Sequence, residues 1–201
     1  MQISEDHCGP AVMRMLLSYV GIKTLQRKVV ETTGVAARLK LHGMNVKQLA
    51  EACAKLAPTM QFWYKDYSNL KDVAKIVNEY EYPVAVEWQG VFWGGHTNDD
   101  EEEDEEEGVD DDPGHYSVVT GVDLYNNEVW LADPYHLYAG KDRKFTVMGF
   151  EERWWDDNEV IGGNGGRRYI EDYHMMFVVT PKFESFPLEL NMNRGEEGWK
   201  W

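Results

Sequence analysis

Near the start of the chain, a cysteine, Cys8, stands directly before a segment with helical periodicity. Pro10 suits a first helical position, where its missing N–H costs nothing, and Gly21 can end the helix. Free backbone N–H groups and the helix dipole favour an anion at a helix N-terminus, so a cysteine there is a candidate nucleophile. The alternative interpretation is a buried cysteine that packs as a small apolar side chain. The helical periodicity comes from Val12, Met13, Met15, Leu16, Tyr19 and Val20.

A histidine and an aspartate that could serve such a nucleophile lie far downstream. Residues 114–123 have the pattern of a strand with His115 near its start, and a second strand-like run at 128–132 ends at Asp133. Typical turn residues at 125–127 separate the runs, which together predict a β-hairpin. In that hairpin His115 would lie beside Asp133, the arrangement in which a carboxylate orients an imidazole base. Taken singly, a histidine is more often structural, and Asp-Pro after a strand is an ordinary turn.

The motifs around these residues resemble those of the bacteriocin-processing cysteine peptidases, which cleave double-glycine leaders. They occur in that family's order, Cys first, then His, then Asp, and the resemblance extends from Gln2 to about Pro181. It implies a papain-like fold, in which a helical half carries the cysteine and an antiparallel sheet carries the histidine and aspartate. The matching segments are Gln2 six residues before Cys8, the run Cys8-Gly9-Pro10-Ala11, Gly-His-Tyr-Ser-Val-Val-Thr-Gly at 114–121, and Ala132-Asp133-Pro134.

The resemblance also implies a role for each of four residues. Cys8 is similar to the family's nucleophile, His115 to its general base and acid, and Asp133 to the residue that orients the histidine. Gln2 is similar to the side chain that stabilises the oxyanion, together with a backbone N–H near the cysteine. We expect no cofactor and no metal, because the other histidines show no metal-ligand spacing: His7, His42, His96, His136 and His174.

The composition predicts a folded globular protein of one domain. Of the 201 residues, 43% are hydrophobic and 13% aromatic, which is enough for an apolar core. No run of about 18 apolar residues occurs, so we expect no membrane-spanning helix, and the N-terminus lacks the pattern of a secretory signal. The two cysteines, Cys8 and Cys53, make a poor disulfide framework, and a disulfide bond between them would inactivate Cys8 as a nucleophile. We therefore expect a cytoplasmic setting, with Cys53 in the core.

The formal net charge of −16 at pH 7 is concentrated in one segment. Residues 99–112 contain 12 of the 36 acidic and none of the 20 basic residues, which leaves 24 against 20, or −4, elsewhere. Such a run is typical of a solvated loop, and its spacing does not fit an EF-hand calcium loop. No basic stripe indicates nucleic-acid binding. We expect a peptide or protein substrate, with basic peptides favoured by the acidic run.

Periodicity and turn residues elsewhere predict helices first and an antiparallel sheet afterwards, which is an α+β fold with the active site in the cleft between the halves. A peptidase domain is expected at 1–181, with an acidic loop insertion at 98–113 and a loosely held tail at 182–201. The expected elements are helices at 24–33, at 46–56 after the cap Asn45 and at 69–80 after the cap Ser68, strands at 60–64, 83–88 and 174–180, aromatic residues in helix or turn at 145–155, and a glycine-rich turn at 161–168.

These observations predict a cysteine peptidase that hydrolyses peptide bonds, by resemblance after small residues such as glycine. Acyl transfer to an amine, including isopeptidase chemistry, would use the same residues. The alternative class is a non-catalytic peptide-binding module of the same fold. Such modules typically lose the nucleophile, whereas this chain keeps the four candidate residues. The 201 residues contain no transporter segment, and we expect that processing coupled to export would need a separate partner protein.

Overall fold

The N-terminal part of the chain is helical. A computed structural model describes residues 1–90, 114–161 and 167–199. The predictions for the acidic run and for the glycines at 162–166 lie outside the described residues. A short 3-10 helix, Glu5–His7, leads into the first of four helices: α1 (Cys8–Tyr19), α2 (Gln26–Thr33), α3 (Leu39–His42) and α4 (Val46–Leu56).

Local signals place α1, α2 and α4 within two residues of the bounds that the sequence predicts. Cys8 is the first residue of α1, which ends before Gly21 with φ at +82°. Asn45 and Gln48 form a capping box at the start of α4, since each side chain accepts a hydrogen bond from the other residue's backbone N–H. The short helix α3 has no counterpart among the sequence predictions.

The rest of the chain builds antiparallel sheets. Among the described residues, seven strands form one sheet in the order β5-β4-β3-β2-β8-β1-β9, and β6 pairs with β7 separately. Within the described part of the chain, three further helices connect the strands: α5 (Leu70–Asn78), α6 (Val147–Glu151) and α7 (Phe186–Glu189). The strands are β1 (Met60–Lys65), β2 (Val84–Gln89), β3 (Gly114–Asp123), β4 (Glu128–Ala132), β5 (Asp142–Phe145), β6 (Trp155–Ile161), β7 (Arg167–Tyr173), β8 (Met176–Pro181) and β9 (Asn193–Arg194).

The large sheet is covered on both faces, and each face has its own apolar core. On β2 the side chains alternate, because Ala85 packs with α1 and α4 whereas Val84, Val86 and Trp88 pack with α5 and α6. All six residues of β2 are buried, as expected for a central strand between two layers. The predicted α+β architecture, with a helical N-terminal half and an antiparallel sheet, is confirmed.

The start of α5 differs from the sequence prediction. The capping residue is Asn69, whose side-chain oxygen accepts from the N–H of Asp72 at 3.0 Å. The buried Ser68 instead donates to the carbonyl of Lys65 at 3.1 Å. The helix therefore begins at Leu70 rather than at Asn69.

The segment from 142 to 173 also differs from prediction. Phe145 ends β5, the helix α6 occupies only Val147–Glu151, and Trp155 already begins β6. The predicted glycine-rich turn at 161–168 overlaps the ends of both strands of the β6–β7 hairpin, Ile161 and Arg167. Tertiary pairing across the sheet, rather than local periodicity, determines these elements.

The C-terminal segment is packed against the sheet in its described part, 182–199. Phe186, Leu190 and Met192 are buried in the core beside α5, and β9 pairs with β1. Trp199 stacks on Tyr64 with ring centroids 4.0 Å apart. The expectation of a loosely held tail is therefore wrong for these residues, while a domain boundary near 181 stays a prediction.

Candidate active site

The N-terminus of α1 places Cys8 against the first residues of β3. Cys8 is 8% exposed. The next residue, Gly9, lies so close to the sheet that a Cβ there would be 3.4 Å from both the Tyr116 ring and the Met44 carbonyl oxygen. A small residue after the cysteine therefore lets α1 approach β3 closely.

Strand pairing brings His115 to Asp133, as the sequence predicts. In the β3–β4 hairpin Val118 is opposite Ala132, so the start of β3 reaches the residue that follows β4. The His115 Nε2 atom lies 2.8 Å from Asp133 Oδ1, and both residues are 3% exposed. A carboxylate in this position fixes the orientation of the imidazole.

His115 also makes a side-chain hydrogen bond with Cys8. Because Nε2 faces Asp133, we infer that the remaining ring nitrogen, Nδ1, makes the hydrogen bond with the sulfur of Cys8. Burial alone would lower the pKa of His115, but the hydrogen bonds and charges of Asp133 and Cys8 raise it to about 9. The imidazolium form can donate to both partners at neutral pH.

Asp133 is held on both of its carboxylate oxygens. Oδ1 also accepts from the backbone N–H of Tyr135 at 2.9 Å, and Oδ2 accepts from Arg143 Nη1 at 2.7 Å. Burial works to raise the pKa of Asp133, but the interactions with His115, Tyr135 and Arg143 together hold it below its ordinary value. The site therefore contains an ionised, immobilised carboxylate.

Gln2 reaches the same region because the chain before the 3-10 helix runs beside Pro134. Its backbone N–H donates to the Pro134 carbonyl at 2.8 Å, next to Asp133. Its Nε2 donates to the Glu5 carbonyl at 3.1 Å, and the side chain is buried. The buried Gln26 holds both flanking residues, accepting from the N–H of residue 3 at 3.0 Å and donating to the carbonyl of residue 1 at 2.7 Å.

Several polar residues around the site have no recognisable sequence signal. The Tyr116 hydroxyl donates to the buried Glu87, and burial and that carboxylate raise the pKa of Tyr116 well above its ordinary value. Gln89 donates to Asp156 at 3.1 Å. A Cβ on Gly114 would lie only 2.6 Å from that carboxylate, so a side chain there would displace Asp156. Arg143 and Gln26 were likewise not found from the sequence, because each acts on a residue distant in the chain.

The second cysteine is not part of the site. Cys53 is fully buried on α4, as predicted for a core residue. Burial and the charge of Glu196 raise its pKa to about 12. A thiol in this environment is unreactive.

Within residues 1–90, 114–161 and 167–199, no group of three or more His, Cys, Asp or Glu side chains could hold a metal ion. In the same ranges, no helix is long and apolar enough to cross a membrane.

The profile of the Peptidase_C39 like family matches residues 1–160 of the chain. The chain belongs to this family. Its fold is similar to the crystal structure of the peptidase domain of Streptococcus ComA, described as a bi-functional ABC transporter involved in a quorum sensing pathway. The TM-score is 0.54 at 18% identity, over 90% of this chain and 96% of that chain. No curated protein matches the sequence.

Membership in this peptidase family confirms the resemblance drawn from the motifs, and the structural match confirms the papain-like fold. Together, family and fold support a function of the cysteine peptidase type. The family profile matches residues 1–160, a range that includes Gln2, Cys8, His115 and Asp133.

Proposed function

We propose that this chain is a cysteine peptidase in which Cys8 is the nucleophile, His115 the general acid and base, and Asp133 the orienting carboxylate. The observation that carries the proposal is the single chain of hydrogen bonds from Cys8 through His115 to Asp133, at the start of α1. Nucleophile, base and orienting group in hydrogen-bond reach are the arrangement that covalent catalysis requires.

The chemistry follows from the protonation of His115. In the reactive state the Cys8 thiolate attacks the peptide carbonyl carbon, forming a C–S bond and an oxyanion. The imidazolium then gives its proton to the departing amine as the C–N bond breaks, leaving a thioester. Neutral His115 next removes a proton from water, whose oxygen attacks the thioester carbonyl; the C–S bond breaks and the acid product leaves. A pKa of about 9 keeps His115 protonated for the first of these steps at neutral pH.

Gln2 is proposed to stabilise the oxyanion together with a backbone N–H near Cys8. An amide nitrogen carries two protons, and one of them goes to the Glu5 carbonyl. The contacts with Pro134 and Gln26 hold the Gln2 backbone on both sides. Preorganised donors of this kind lower the barrier because they need no reorganisation when the charge develops.

The substrate is proposed to be a peptide or protein cleaved after a small residue such as glycine, with basic sequences favoured. Support for glycine comes from the resemblance to double-glycine-leader peptidases, and support for basic sequences comes from the acidic run at 99–112. The structural neighbour is the peptidase domain of a transporter, so a separate export protein is a proposed partner. A reducing, cytoplasmic setting would keep Cys8 free.

The proposal is tested by turnover of fluorogenic peptides with Gly, Ala, Leu or Glu before the scissile bond. We expect the wild type to cleave the glycine peptide fastest, and Cys8→Ala to fold, bind and show no turnover. Unchanged activity in Cys8→Ala would overturn the peptidase mechanism. Adding a peptide amine as acceptor separates hydrolysis from acyl transfer, because only acyl transfer yields a ligated product. Binding without turnover in the wild type would instead identify a peptide-binding module.

A further inference from the structure

The carboxylate of Asp133 binds two side chains, the imidazolium of His115 and the guanidinium of Arg143. One oxygen lies 2.8 Å from His115 Nε2, and the other accepts from Arg143 Nη1 at 2.7 Å. The side chains of Asp133 and Arg143 are 0% and 4% exposed. A charge pair this deeply buried is little screened by salt or water.

The position of Arg143 is set by the sheet and by aromatic rings. Its residue lies opposite Leu131 in the β4–β5 pairing, and the guanidinium carbon lies 3.7 Å from the centroid of the Tyr138 ring. The rings of Phe145 and Trp88 are 5.0 and 5.9 Å away. A planar guanidinium stacked on rings keeps one orientation, and so does the carboxylate it binds.

We propose that Arg143 is a positioning residue for the reaction: it cancels the charge of Asp133 and fixes its orientation, so that the pair presents a neutral hydrogen-bond acceptor to His115. The inference rests on the proposed function. An asparagine takes this place in papain-like proteases, and its amide oxygen is likewise an uncharged acceptor. The imidazolium is then stabilised by its hydrogen bonds to Asp133 and to the Cys8 thiolate, until its proton goes to the departing amine.

Charged and titratable groups of the described residues face this pair from α1, from the end of β4 and from the β4–β5 connection. His115 faces Cys8 from α1 and Asp133 from the end of β4. Asp133 faces His115 and Arg143, with Tyr135 and Tyr138 on the β4–β5 connection. Burial and the charge of Glu5 raise the pKa of Tyr135.

A first test follows the alkylation rate of Cys8 by iodoacetamide between pH 5 and 10.5, which needs no substrate. Arg143→Met removes a positive charge from the far side of the carboxylate, so Asp133 stabilises the imidazolium more strongly. The alkaline limb of the profile should move up by about one to two pH units. Lys144→Met is the matched control, because it removes the same charge from the next residue of β5, where Lys144 pairs with Glu128 and is 54% exposed. That control should leave the profile unchanged.

A second test uses the neutral pair. Asp133→Asn alone removes the carboxylate that Arg143 Nη1 binds at 2.7 Å and keeps the buried guanidinium, whereas Asp133→Asn with Arg143→Met removes both charges of that ion pair. The double variant should therefore exceed Asp133→Asn in kcat/KM on the glycine peptide by at least about tenfold. Arg143→Lys keeps the charge, so it should keep the wild-type alkylation profile while losing part of kcat.

These measurements separate the inference from the proposed function. An alkaline limb that stays in place in Arg143→Met, in protein with a wild-type circular dichroism spectrum, overturns the inference. Additive losses in the double variant overturn it as well. If Arg143→Met shows the shift of the alkaline limb but the wild type cleaves no peptide, the peptidase proposal is contradicted and the role of Arg143 is kept. If Arg143→Met does not fold, the double variant is still compared with Asp133→Asn in kcat/KM, and Arg143→Lys is still compared with the wild type in its alkylation profile and kcat.

Discussion

The two cysteines should differ greatly in reactivity toward iodoacetamide, because their surroundings are opposite. Cys53 has a pKa raised to about 12 by burial and Glu196, so at pH 7.5 only about 3 in 10⁵ of its thiol is ionised. An unperturbed thiol, with a pKa of about 8.5, is ionised to about one tenth. Cys53 should therefore be alkylated about 10³ times more slowly than an unperturbed thiol, and we expect the fast label on Cys8.

The assay is peptide mapping by mass spectrometry after timed alkylation of the native protein at pH 6.0 and 7.5. His115→Ala should slow the labelling of Cys8 most at pH 6.0, because the cation that stabilises the thiolate is lost. Cys53→Ala is the control and should leave the single fast label in place. Comparable labelling of both cysteines, or a His115→Ala profile equal to wild type, would refute the argument that Cys8 is an activated thiol.

Three further predictions concern the groups around the nucleophile. Asp133→Asn should lower kcat/KM by up to about 10⁴, because His115 loses its orienting carboxylate; equal values would make Asp133 a turn residue only. Gln2→Ala, measured without an N-terminal tag, should lower kcat by about 10²–10³ with little change in KM; full activity would place the oxyanion hole elsewhere. Replacing 99–112 by a Gly/Ser linker should lower kcat/KM for Lys/Arg-rich peptides selectively and flatten its salt dependence, with kcat on a neutral peptide nearly unchanged. An identical basic-to-acidic ratio in both proteins would make the run a spacer.

The parts of the site that follow local rules could be predicted from the sequence. The start of α1 near Cys8 follows, within two residues, from Pro10 and the apolar spacing behind it, and the cap of α4 follows from Asn45. The contact between His115 and Asp133 follows from two adjacent strands and a short turn, since a hairpin fixes its own register. Each of these predictions needed only residues near one another in the chain.

The parts that depend on distant contacts could not be predicted. Arg143 stands in the short run Asp-Arg-Lys-Phe, which has the composition of an exposed turn, and only its pairing with β4 buries it beside Asp133. Gln26 has the sequence context of a helix surface, yet it binds the backbone of residues 1 and 3. Ser68 and Asn69 are both good capping residues, and the choice between them depends on the carbonyl available to Ser68.

The most direct test of the central claim is to observe the covalent intermediate on Cys8. The p-nitrophenyl ester of a short peptide ending in Gly-Gly acylates fast, so loss of the acyl group by reaction with water becomes the slow step. Intact-mass measurement during turnover should show the wild type carrying one peptidyl group, mapped to Cys8 by digestion, while Cys8→Ala carries none. Hydrolysis of the ester by Cys8→Ala at the wild-type rate, or a peptidyl group on another residue, would contradict the account.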